Sequence, residues 1–418
     1  MDTTTVSTSG PRRRAWAVPA VAAVAVAAAF AAPPLLASAD TAGLPEVTRA
    51  EVLTRVAQAE PQPLSGTVVH TARLGLPDLS LTAMGGADPV SLLGGSTTLR
   101  VWTDGEQRSR VSLLGDASEY SVVADGTQAW TYSSSDDEVV HYALSPQDAA
   151  RAQELHAQAT PPADLPTPAE LGRQALDRAQ EHATVGVDAA TTVAGRDAYQ
   201  AVVTPRSTST LVGRIVVAVD AQTWTPLRVQ VWSSDDAATP ALEVGFTDVT
   251  FAEPDDAVLT FAAPPGADVR EVQIPLPDDA ALAAAPQDLP APLPTDPAEV
   301  PLPEGVAVTG TGWDTVVELT DVDVAALLAG DPAAMADVPH AGAQLGSQGA
   351  QELYDELAPQ GDGPPVSLDA GALYEQLTTP VEGGRALSST LLSVLVLDDG
   401  RVLVGAVPVE ALRAAAGV

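Results

Sequence analysis

Residues 97–144 read TTLRVWTDGEQRSRVSLLGDASEYSVVADGTQAWTYSSSDDEVVHYAL. Apolar and polar side chains alternate through TTLRVWT, RSRVSLL, EYSVVA, TQAWTYS and EVVHYAL, with turn signals at Asp104-Gly105, Asp125-Gly126 and Asp136-Asp137. Period-two alternation places every second residue on one face of a strand, and Asp-Gly pairs supply the conformations that tight hairpins need. The stretch predicts a meander of short antiparallel strands. Parallel doubly wound folds are disfavoured, because strand follows strand with no helix between most of them.

The same pattern extends outward. Before it, TVVHTARLGL reads as a strand, and after it come DAYQAVVTP, LVGRIVVAVDAQTWTPLRVQVWS and ALEVGFTDVTF, with AVDAQTWT as a hairpin corner. In LRVQVW, Leu227, Val229 and Val231 alternate against Arg228, Gln230 and Trp232. About ten strands are expected in this unit.

Three helices are predicted beside them. TRAEVLTRVAQAE starts at Thr48 as N-cap with Glu51 in the capping-box position, carries Val52, Leu53, Val56 and Ala59 on one side, and ends at Pro61 and Pro63. Two more interrupt the strands, each opened by a hydroxyl N-cap and a proline: Ser145-Pro146 and Thr167-Pro168. The second has an apolar side of Leu171, Ala175, Leu176 and Ala179, suited to lying on a sheet.

The chain divides into four parts on this reading. Residues 1–39 carry Arg12, Arg13 and Arg14 before an uncharged run from Ala15 to Ala39, with Asp40 and Glu46 beyond it. That charge order puts the N-terminus in the cytoplasm and everything past Asp40 outside the plasma membrane. Two readings stand: a single-pass anchor, or a signal peptide cleaved after Ala37-Ser38-Ala39, which releases a secreted protein. Residues 40–274 form the first folded unit. Residues 275–304 hold nine prolines from Pro275 to Pro303 and read as a semi-rigid linker. Residues 305–418 form a smaller α/β region with a hairpin at LLSVLVLDDGRVLVGAV, where Asp399-Gly400 suits a two-residue type I′ turn.

Composition narrows the function. The 20 basic residues are all Arg against 55 Asp and Glu, for a formal net charge of −35, so phosphate backbones and anionic headgroups are repelled and no nucleic-acid partner is expected. The absence of Lys and Asn fits GC-rich codon usage. With no Cys there is no disulfide, thiolate site or acylated N-terminal cysteine. His70, His141, His156, His182 and His340 are scattered without metal-ligand spacing. The acidic doublets, including Asp235-Asp236 and Asp255-Asp256, lack the ladder of a calcium loop. No serine elbow, phosphate loop or dinucleotide fingerprint is present. The chain is therefore expected to have no catalytic residue, metal or cofactor and to be no enzyme. A cell-wall hydrolase using paired carboxylates is the competing class.

Three elements together resemble a known family. They are VWTDGEQRSRVSL with the basic pair Arg108 and Arg110, the ADGTQAWTY element ending in Trp130 and Tyr132, and the close from Phe246 through LTFAAPPG to Gly266. Over roughly Leu64 to Val272 the chain resembles the LolA-type lipoprotein carriers and the related N-terminal domain of the RseB/MucB regulators. That resemblance implies a mainly β fold with inserted helices, a half-open antiparallel β-barrel with an α-helical lid over an apolar cavity. It also implies that Arg110, rather than Arg108, fastens the lid. Strand alternation nominates Leu99, Val101, Val111, Leu113, Leu227, Val229 and Val231 as cavity candidates, to which the resemblance adds Trp130, Tyr132 and Phe246. The expected ligand is a lipid or lipoprotein acyl chain. The membrane-side partners it implies are an ABC transporter for a carrier and an anti-sigma factor for a regulator.

Overall fold

A computed structural model describes residues 44–76, 87–151 apart from 127, 146 and 149, 180–274, 305–326 apart from 321 and 325, and 370–418. The N-terminal run 1–39, the linker 275–304 and most of the two helices expected after Ser145 and Thr167 lie outside the described residues. No helix among the described residues is long and apolar enough to cross a membrane.

The alternating runs pair as two meanders. The first is β2 (Gly95–Thr103), β3 (Arg108–Leu114), β4 (Glu119–Asp125), β5 (Gln128–Ser133) and β6 (Glu138–Leu144). The second is β7 (Ala183–Val193), β8 (Arg196–Pro205), β9 (Val212–Asp220), β10 (Pro226–Ser233) and β11 (Leu242–Thr250). The first strand, β1 (Leu64–Ala72), lies between β2 and β11 and joins them into one sheet. After β11 the chain crosses the first meander through a short helix, α2 (Asp256–Leu259), and ends in β12 (Asp268–Ile274). β12 runs parallel to β6, so one parallel pair closes an otherwise antiparallel order, β12-β6-β5-β4-β3-β2-β1-β11-β10-β9-β8-β7. The sheet is open: β7 and β12 are its two edges, and no closed barrel forms among the described strands.

The sheet nevertheless curls. Helix α1 (Arg49–Gln58) has 10 residues and is about 15 Å long. It packs on β7 and β8, and its C-terminal half shares a cavity with β2 and β3. β2 stands six ladder steps from β7, a separation of about 29 Å in a flat sheet, more than the helix could bridge. The two ends of the sheet must bend toward it. Thr48 caps α1 by accepting from the Glu51 amide at 3.2 Å. The other half of the capping box does not form, because the Glu51 carboxylate pairs with Arg55 instead.

On β10 the alternation holds but its burial is unexpected. Arg228 and Gln230 are buried, while Val229 and Val231 are only half-buried. Gln230 Nε2 donates to Glu243 Oε2 at 2.8 Å and Arg228 Nη2 to Gln200 Oε1 at 3.3 Å. Polar partners across the ladder let this face go inside, since a buried polar group is tolerated when it is hydrogen-bonded.

The C-terminal unit is a six-stranded antiparallel sheet: β13 (Val306–Thr309), β14 (Val316–Leu319), β15 (Thr379–Val381), β16 (Gly384–Ser388), β17 (Ser393–Leu397) and β18 (Val402–Gly405), ordered β13-β14-β18-β17-β16-β15. Helix α3 (Ala370–Leu377) leads into β15, and α4 (Val409–Ala416) packs on β17 and β18. The β17–β18 turn is not type I′, because Asp399 is not in the left-handed region and only Gly400, at φ +86°, is. The Leu397 amide donates to the Arg401 carbonyl at 2.9 Å, leaving a three-residue loop with glycine in its left-handed position, which is the next most common hairpin form. Backbone bonds dock this unit on the large sheet. The Leu211 amide donates to the Ala406 carbonyl at 2.8 Å and the Thr390 amide to the Leu74 carbonyl at 2.7 Å.

Candidate binding site

A cavity of about 580 Å³ lies between the C-terminal half of α1 and the curled sheet. Val56 and Ala59 form its helical side, and Leu64, Val101, Val111 and Phe246 form its floor. Glu60, Pro61 and Gln62, where the chain leaves α1, the β9–β10 corner from Trp224 to Pro226, and Trp102, Thr103, Ser109 and Arg110 of β2 and β3 complete the walls. The lining is mainly apolar and the volume falls within the ~300–1,000 Å³ of small-molecule sites.

Two glycines let these walls approach. A Cβ on Gly66 would stand 2.8 Å from Cδ1 and Cε1 of Phe246, so the missing side chain is what lets the Phe246 ring lie on β1. Gly105, at φ +80°, turns the β2–β3 hairpin against the segment below α1, and a Cβ there would meet the Pro63 nitrogen at 2.9 Å.

Trp224 is held in an unusual conformation. Its φ is +61°, and a bulky residue in the left-handed region costs about 1–3 kcal/mol and persists only where its surroundings enforce it. They do. The buried Asp220 carboxylate accepts from the Thr223 amide at 2.7 Å, the Gln222 amide at 2.9 Å and Arg196 Nη2 at 3.0 Å, while the Trp224 amide donates to the Asp220 carbonyl at 3.1 Å. Burial alone would raise the Asp220 pKa, but the Arg196 hydrogen bond and the two amides hold it below the usual carboxylate range. So fixed, the indole stacks on Tyr199 with ring centroids 5.3 Å apart, and Arg55 of α1 lies 4.7 Å over it. Tyr199 also donates its hydroxyl to the Pro45 carbonyl at 3.2 Å, and Arg49 donates to the Val185 carbonyl at 3.3 Å, so the helix is fastened along its length.

The other face of β2 and β3 differs. Trp102 opposes Arg110 in the ladder, one residue out of phase with Val101 and Val111, so both lie on the alternate face of these strands while also bordering the cavity. There Arg110 donates to Glu119 Oε1 and Ser121 Oγ, both at 3.3 Å. Burial pushes the Glu119 pKa up, and the Ser112, Ser121 and Arg110 contacts outweigh it and hold it down. A second space of about 340 Å³ lies between this polar face and Ala257 and Val258 of α2.

The sequence-derived candidates therefore separate. Val101, Val111, Phe246 and the latch candidate Arg110 line the cavity together. Leu99 and Leu227 pack in the core continuous with its floor. Leu113 belongs to another cluster with Ala87 and Tyr120. Val229 and Val231 lie farther along β10. Trp130 stacks on His141 at 4.9 Å and on Phe261 at 5.7 Å, in register with Arg110 through Val123 and hence on the polar face. Tyr132 donates to Asp137 at 3.3 Å. None of the described hydrogen bonds of Arg110 reaches α1; Arg108 instead bonds Asp256 of α2 at 2.7 Å. Most of the helices expected after Ser145 and Thr167 lie outside the described residues. Sequence reading had not placed Val56, Ala59 or Trp224 in the site. For the first two the apolar side of α1 was a usable signal, and for Trp224 it was a tryptophan inside a tight turn.

No group of three His, Asp or Glu side chains that could hold a metal converges among the described residues. No family model matches the chain, and no curated protein matches it significantly. Solved structures do. The Pseudomonas aeruginosa MucA/MucB complex aligns over 87% of this chain and 95% of its own, at 16% identity and TM-score 0.37. A conserved protein of Thermus thermophilus aligns over 53% and 98%, at 15% identity and TM-score 0.31. A LolA superfamily protein from Nitrosomonas europaea aligns over 52% and 99%, at 12% identity and TM-score 0.21.

Proposed function

We propose that this chain is a non-enzymatic extracytoplasmic binding protein that shelters the acyl chain of a lipid or lipoprotein beneath α1, at or beyond the plasma membrane. The observation that carries the reading is the apolar cavity of about 580 Å³ between a short helix and a curled antiparallel sheet. Each methylene moved from water into such a space contributes about 0.8 kcal/mol, so a long chain gains several kcal/mol by burial alone. The lining includes two charged residues, Glu60 and Arg110, and its floor of Leu64, Val101, Val111 and Phe246 is apolar. The sequence resemblance to lipoprotein carriers supports the same class of ligand.

The test is titration of the purified protein with dansyl-labelled undecanoic acid. Saturable binding is expected, with at least about tenfold weakening in Val56→Asp, whose carboxylate would have to be desolvated beside the tail. Val56 is half-buried on a helix, so the variant keeps its fold, which circular dichroism checks. Equal binding by a folded Val56→Asp would remove the cavity from this account.

A further inference from the structure

We infer that Trp224 sets the size of apolar tail that the cavity accepts, an inference that rests on the acyl-chain reading above. Trp224 forms one wall of the cavity, and it is the largest side chain contributed by the β9–β10 corner. Its backbone sits at φ +61°, where glycine or asparagine would be the unstrained choice. A turn that only had to reverse the chain would not need an indole there.

The surroundings fix the ring rather than merely tolerate it. Asp220 and Arg196 hold the corner from beneath through the bonds to Thr223 and Gln222. Tyr199 stacks on the ring with an interplanar angle of 8°, and Arg55 covers it at 4.7 Å. A wall clamped in this way cannot swing aside to admit a longer tail. The contact with Arg55 also means that the same ring that bounds the ligand holds α1 in place. Strain at one residue, a rigid support and a position on the cavity together mark a specificity residue.

The experiment measures how well laurate, palmitate and arachidate displace dansyl-labelled undecanoic acid from the wild-type chain and from Trp224→Gly. A methylene buried is worth about fourfold in affinity. The wild type should stop gaining affinity before arachidate, because added methylenes meet the indole. In Trp224→Gly the affinity ratio of arachidate to laurate should rise about tenfold or more. Trp224→Phe, which keeps most of the wall, should restore the wild-type ratio. Should the glycine variant fail to fold, Trp224→Asn gives the same readout, since asparagine tolerates the left-handed region. An unchanged ratio in a variant that still binds overturns the role of Trp224 and leaves the acyl-chain reading standing. If no fatty acid displaces the probe from the wild type, the acyl-chain reading itself fails and takes this inference with it.

Discussion

Helix α4 on the small sheet and helix α1 on the large one use the same device, an amphipathic helix laid on antiparallel strands, with opposite results. Under α4, Leu412 meets Leu395 and Leu403, all three fully buried, and Leu397 and Val407 close the rest. Gly405 helps this packing close, since a Cβ there would stand 3.0 Å from the Thr315 carbonyl oxygen and 3.1 Å from Val407 Cγ2. Under α1, Val52 fills the N-terminal half in the same way, but the C-terminal half offers only Val56 and Ala59 against Val101, Val111 and Phe246. The cavity thus comes from short side chains on the helix and not from a gap in the sheet. A site can be opened or shut from α1 without disturbing a strand.

Truncation should separate the two regions most sharply. Leu412→Ala would leave a void in a filled core and cost about 2–5 kcal/mol. Val56→Ala removes two methylene equivalents that are only half-buried, a cost of about 0.8 kcal/mol. Urea unfolding of both variants measures the difference. Equal losses would mean that the space below α1 is as tightly packed as that below α4, and the contrast would collapse.

Enlargement should reverse the order. Ala386 is buried in the small-sheet core, and Ala386→Leu should cost about 1–3 kcal/mol through overpacking. Ala59→Leu places the same added volume in the cavity, where it should leave the melting temperature unchanged or raised and abolish binding of dansyl-labelled undecanoic acid. Calorimetry and titration on the same preparation read both effects. A destabilised Ala59→Leu would show that the cavity walls have no room to give.

Much of this was legible because it is local. The turn pairs and the alternation around Leu99–Leu113 announced the strands, and Thr48 announced the start of α1. The insertion of β1 between β2 and β11 was not legible, nor was the parallel return of β12 beside β6, because ladder order depends on contacts far apart in sequence. Alternation also could not say which face of β10 is the more buried; the Gln230–Glu243 and Arg228–Gln200 bonds decide that, and they join different strands. In the site, Val101 and Val111 were readable as one face of a hairpin, whereas Trp130 shares the aromatic character of a cavity residue but falls on the opposite face by register. Trp224 needed its φ value to be seen as anything but a turn residue.

The smallest effect concerns how firmly each helix is held. Arg55 is half-exposed, pairs with the similarly exposed Glu51, and lies over the Trp224 ring. An exposed i,i+4 pair contributes about 0.3–0.5 kcal/mol and an exposed cation–π contact about 0.5–1 kcal/mol. Arg55→Gln, which keeps helix propensity, should therefore loosen α1 by about 1 kcal/mol. Helix α4 has its own fastenings, Arg413 to Glu382 at 3.0 Å and Arg401 to the Ala416 carbonyl at 3.1 Å, and shares none with Arg55. Hydrogen exchange resolves so small a local change: amides in the C-terminal turn of α1 should exchange about fivefold faster in Arg55→Gln, and those of α4 at the wild-type rate. Acceleration in both helices would mean that the two sheets open as one unit, and unchanged exchange in α1 would mean that Trp224 is held by Tyr199 and the Asp220 loop without help from the helix.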